Sequence, residues 1–146
     1  MRERLAILAV MLSLTGCGFA EDEKLVGPYR IVAVDIEPQR ALCWTYEDTN
    51  DCLGNDLPGP MLYAAGFDER NIVIAIHPYL DDGKNPASKT SRFFYIVRNL
   101  SKESRLKTGG TILPYEAMKG PFDQNAFEAE KARLHLPDFS RYFSES

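Results

Sequence analysis

The stretch from Met61 to His77 constrains this chain's fold more than any other. Two runs, Met61 to Phe67 (MLYAAGF) and Asn71 to His77 (NIVIAIH), flank Asp68-Glu69-Arg70. In the second run Ile72, Ile74 and Ile76 share one face, while Val73, Ala75 and His77 share the other. Alternation of β-branched residues with a period of two belongs to a strand, not a helix. Asp68 suits the start of the intervening turn, because its carboxylate can accept backbone amides. The stretch reads as a β-hairpin.

The flanking segments extend the pattern. Tyr29 to Ile36 (YRIVAVDI) alternates Val32, Val34 and Ile36 against Tyr29, Ile31 and Ala33, and Pro38 ends it. A shorter strand is expected at Ala41 to Tyr46 (ALCWTY), followed by turn chemistry from Leu53 to Pro60. A fifth strand, Arg92 to Asn99 (RFFYIVRN), is aromatic and β-branched. Residues 78–90 and 100–110 read as polar loops, the latter mobile, with only a brief extended piece at Ile112 and Leu113 before Pro114.

One helix is signalled, from Gln124 to Leu134. Asp123 can cap its first turn, and Phe122 with Phe127 forms a hydrophobic staple. Phe127 and Leu134 share its thin apolar face, so the helix should lie on a sheet. Pro137 stops it. Phe139, Tyr142 and Phe143 have two readings, packed back on the sheet or exposed. The expected fold class is α+β, a mainly antiparallel sheet of about five strands with one C-terminal helix packed on it.

The amino terminus carries a different message. Arg2 and Arg4 precede the uncharged run Leu5 to Leu14. That run is too short to span a bilayer, which takes roughly 20 apolar residues, and it has the build of a secretory signal. It ends in Leu14-Thr15-Gly16-Cys17, which resembles the lipobox of bacterial lipoproteins. The resemblance implies cleavage before Cys17, a diacylglyceryl thioether on Cys17, and acylation of the new amino terminus. Two or more acyl chains anchor stably. Residues 1–16 are then a signal peptide, 17–27 a lipidated cysteine with a flexible tether, and 28–146 one α+β domain. A ten-residue tether reaches roughly 35 Å at full extension, enough to let the domain stand off the bilayer. By resemblance to the lipoproteins of enteric bacteria, Gly18 after Cys17 implies the outer membrane, facing the periplasm, in a Gram-negative cell.

With Cys17 consumed by lipid, Cys43 and Cys52 remain as a pair in an oxidising compartment. A disulfide closing this ten-residue loop is worth roughly 2.5–3 kcal/mol in the chain-entropy model. Loss of Arg2, Arg4 and Glu3 with the leader takes the net charge from −4 to about −5. An acidic domain lacks the basic face that nucleic acid or a broad grip on anionic lipid needs.

From Gly66 onward the chain also resembles a group of small uncharacterised bacterial lipoproteins. The resemblance rests on Gly66-Phe67-Asp68-Glu69-Arg70-Asn71-Ile72-Val73, His77-Pro78, Phe94-Tyr95-Ile96-Val97, Gly120-Pro121-Phe122, and Leu134-His135-Leu136-Pro137. It implies an architecture and an envelope location, and it brings no activity, cofactor or site residue.

The residues themselves offer little chemistry. His77, with Asp81 or Asp82, is the one combination on which an envelope hydrolase or metal-dependent enzyme could be built. The simpler account is a strand-end histidine bonded to backbone. His135 at the helix end suits the helix dipole. No serine sits in a nucleophile elbow. The acids Asp48, Asp51, Asp56, Asp81 and Asp82 lack EF-hand spacing, so neither a metal nor any other cofactor is expected. Trp44 and Tyr46, held in the disulfide loop, are the candidate exposed contact, since aromatic residues dominate binding hot spots. The expected function is a lipid-anchored envelope protein that binds a partner, with the membrane itself engaged through Cys17.

Overall fold

A computed structural model describes residues 21–33, 39–54, 56–78 and 90–143. Lipobox residues 14–17, and the acidic pair Asp81 and Asp82, lie outside them. The described residues form eight strands and two helices: β1 (Glu21–Val26), β2 (Tyr29–Ala33), β3 (Arg40–Trp44), β4 (Leu62–Phe67), β5 (Asn71–Ile76), β6 (Arg92–Arg98), α1 (Leu100–Glu103), β7 (Tyr115–Phe122), α2 (Gln124–Leu134) and β8 (Arg141–Tyr142). All pairings among them are antiparallel. Three strands make one sheet, β1-β2-β3, and five make the other, β7-β6-β5-β4-β8. The fold is thus α+β, as the alternating runs predict.

The β4–β5 hairpin is the centre of the five-stranded sheet. Asp68 Oδ1 accepts both the Arg70 and Asn71 amides at 2.7 Å, which closes the turn. The two faces of β5 go to two different cores. Ile72, Ile74 and Ile76 pack against Leu25, Tyr29, Ile31, Leu42 and Trp44 of the smaller sheet. Val73 and Ala75 pack on the opposite side with Phe93, Tyr95, Phe127 and Leu136. The molecule is therefore layered: three-stranded sheet, five-stranded sheet, helix α2.

Helix α2 starts and stops where the sequence predicts. The Asp123 carboxylate accepts the Ala126 amide at 2.8 Å, and His135 ends the helix in the left-handed conformation, φ 54°. Phe127 alone of the helix is buried; it stacks on Phe93 with centroids 4.9 Å apart and meets Phe139 at 5.9 Å. Leu134 shares its face but is left largely exposed.

Four elements were not expected from the sequence: the edge strands β1, β7 and β8, and the short helix α1 after β6. Residues 21–26, read as part of a flexible tether, are strand β1. Every acid on it has an arginine partner: Glu21 with Arg40 (2.8 Å), Asp22 with Arg30 (2.7 Å) and Glu23 with Arg141. Residues 115–122, to which the sequence assigns no element, are edge strand β7. Residues 100–103, expected to be mobile loop, are the short helix α1, whose cap Asn99 accepts the Lys102 amide at 2.9 Å. The C-terminal aromatics divide. Phe139 joins the α2 core, Phe143 lies under the Arg40 guanidinium at 5.0 Å, and Tyr142 on β8 is 72 % exposed.

Candidate functional site

The three-stranded sheet has two ends. Glu21, Ala33 and Arg40 lie together where β1 enters, and Val26, Tyr29 and Trp44 lie together where β1 turns into β2. A hollow opens at the turn end.

The turn is only two residues, Gly27-Pro28, with Gly27 at φ +53°. Glycine is required there for a second reason. A Cβ would sit 2.8 Å from Glu103 Oε2 and 3.1 Å from Arg98 Nη2. The turn thus rests on the Arg98–Glu103 pair, whose side chains are only 6 % and 8 % exposed. The pair is bidentate, at 2.9 and 2.8 Å, and Arg98 also donates to the Asp68 carbonyl at 2.8 Å. A buried ion pair holds only when its remaining hydrogen-bonding capacity is met; here the carbonyl of the central hairpin helps to meet it. Tyr29 is buried beside this pair. Burial, reinforced by the Glu103 carboxylate, raises its phenol pKa above the ordinary range. Its hydroxyl has no hydrogen-bond partner among the described residues.

The second wall is the disulfide loop. Cys43 and Cys52 are bonded, with Cα atoms 5.5 Å apart. Trp44 and Leu53 exchange backbone hydrogen bonds at 2.7 and 2.9 Å, which pins the base of the loop. Residues 45–50 then project past the sheet. The loop that follows α1 reaches across to them: Thr108 donates to Asp48 at 2.6 Å and Tyr46 donates to the Gly110 carbonyl at 3.3 Å.

Between the turn, α1 and this loop lies a groove of about 530 Å³. Its lining mixes Lys24, Arg30 and Glu47 with apolar Leu100, Leu106 and Tyr46. Thr49 also lines it, and the Thr49 hydroxyl oxygen is buried without a hydrogen-bond partner among the described residues. A smaller hollow of about 240 Å³ adjoins, between Trp44, Leu53, Tyr115 and the exposed Ile112 and Leu113. Tyr46 lines both. Such a surface can hold apolar and charged groups side by side. Its described lining contains no histidine and no free thiol.

The residues singled out in the sequence fare differently. Cys43 and Cys52 form the predicted disulfide. Trp44 is a correction: expected to be an exposed contact, it is 6 % exposed and belongs to the core between the sheets. Its place on β3, with its side chain on the Leu42 face, turns it inward. Tyr46 meets it edge-to-face at 5.3 Å and supplies the accessible ring. His77 is buried; its ring stacks on Tyr63 at 4.0 Å, and its Nδ1–H donates to the Thr90 carbonyl at 3.2 Å. That is the backbone-bonded strand-end histidine the sequence favours. Among the described residues no group of three or more His, Cys, Asp or Glu could hold a metal ion. No helix among them is long and apolar enough to cross a membrane. The groove itself was not foreseen. Its signals were Gly27-Pro28, a turn dipeptide directly before a strand, and Asn99, a cap residue directly after one.

No family model, curated protein or solved structure matches this chain.

Proposed function

We propose that this chain is a lipid-anchored binding module of the cell envelope, tethered through Cys17, whose groove beside Tyr46 takes an extended segment of a protein partner. The groove at the turn end of the three-stranded sheet carries the reading. It offers cations, an anion and apolar side chains within one hollow, which suits a peptide with both charged and apolar residues. Membrane attachment rests on Leu14-Thr15-Gly16-Cys17, and Gly18 favours the outer membrane facing the periplasm. The rival reading, a hydrolase or metal-dependent enzyme built on His77 with Asp81 or Asp82, gains no support from His77, whose ring is packed on Tyr63 and bonded to backbone.

The test is site-specific photocrosslinking in cells. A photoreactive amino acid replacing Tyr46 should give a discrete protein adduct. The same group replacing Glu128, on the exposed face of α2, should not. Identical adducts from both positions, or none from position 46, would remove the groove as a binding site.

A further inference from the structure

Strand β1 begins at Glu21, only four residues after Cys17. Four residues reach roughly 14 Å at full extension, far less than the ten-residue tether suggested by composition. Any anchor on Cys17 therefore holds the entry end of the three-stranded sheet close to its lipid.

The chemistry of that end fits a lipid surface. The three acids of β1 are each neutralised by an arginine, so β1 presents no bare negative charge to anionic headgroups. The Arg141–Glu23 pair joins β8 to β1, and the Arg40–Phe143 contact joins the residue after β8 to β3. Tyr142 points from the other face of β8, the Ala64 side, at the free edge of the five-stranded sheet, and at 72 % is the most exposed large apolar side chain among the described residues. A ring with an apolar body and a polar tip is suited to the headgroup layer. Trp44 is at the other end, four residues along β3 from Arg40, which is roughly 14 Å at strand spacing.

We infer that the β1 entry end and β8 form a membrane-facing surface, with Tyr142 seated among lipid headgroups and the Tyr46 groove directed away from the bilayer. The inference rests on lipid attachment at Cys17.

The chain contains a single tryptophan, Trp44, which makes it its own reporter. Lipidated full-length protein is reconstituted into vesicles containing a phosphatidylcholine with a nitroxide on its headgroup. Wild-type Trp44 emission should be unquenched, whereas Y142W in a W44F background should be strongly quenched. If W44F fails to fold, Y142W with Trp44 retained should lose only its added emission. Quenching of Trp44 comparable to that of position 142 overturns the orientation. So does unquenched emission from the indole that Y142W introduces, including one shielded by a second protein copy. Flotation separates the premise from the inference: protein that does not float with vesicles has no anchor, and both fall; protein that floats with Trp44 quenched loses the orientation alone.

Discussion

The two ends of the three-stranded sheet are closed in different ways. At the entry end, arginines from β3 and from β8 meet the acids of β1, and the guanidinium of Arg40 covers Phe143. Charge pairing there fills the space and joins the two sheets. At the turn end, a covalent loop and a buried ion pair hold the walls apart, and the space between them stays hollow. Under the proposed function, this open end is where a partner binds.

The difference can be broken most severely at Arg98. R98M leaves the Glu103 carboxylate buried without its partner, a loss of about 3–5 kcal/mol, read by urea denaturation. A much smaller loss would mean that the pair does not frame the groove. Next is the disulfide. The double variant C43S/C52S should lose roughly 2.5–3 kcal/mol, and crosslinking from position 46 should weaken as the loop gains freedom. Retained crosslinking would show that the groove survives without that wall. At the entry end E21Q should cost only about 1–2 kcal/mol, because the amide can still accept from Arg40. An effect as large as that of R98M would erase the contrast between the ends. The smallest effect lies away from both. Glu130 is held below the usual carboxylate range by Arg133 and by the Tyr95 hydroxyl. A depressed carboxylate stabilises the fold above its unfolded pKa, and that contribution is lost as pH falls through the folded value. Melting temperatures of wild type and E130Q should therefore converge on acidification, with crosslinking from position 46 unaffected at neutral pH.

The centre of the molecule was legible in the sequence because burial there is two-sided and periodic. Ile72, Ile74 and Ile76 declare one core, Val73 and Ala75 the other, and Asp68 fixes the turn that registers them. Helix α2 was legible through Asp123, Phe122 and Phe127. The edges were not. Strand β1 reads Glu-Asp-Glu-Lys, and charged residues are how edge strands avoid pairing with strangers; the partners of Glu21 and Glu23, Arg40 and Arg141, are distant in sequence. Strand β7 carries Glu116, Lys119, Gly120 and Pro121, a composition that reads as loop. It pairs because β6 offers it an open edge. Trp44 was misplaced because loop aromatics and inward strand aromatics look alike until the register is known. Gly66 shows the same limit. A Cβ there would collide with the Asp138 carbonyl, so this glycine makes room for the tail that becomes β8, a role visible only once both segments are in place.

We infer that the entry end faces lipid while the turn end faces outward. Hydrogen exchange tests it most directly, comparing vesicle-bound lipidated protein with a soluble C17S form. Exchange should slow on vesicles for amides of residues 21–23 and 141–143 and stay unchanged for 45–50 and 100–106. Slowing at 45–50 and 100–106, with none at the β1 entry or β8, would contradict it.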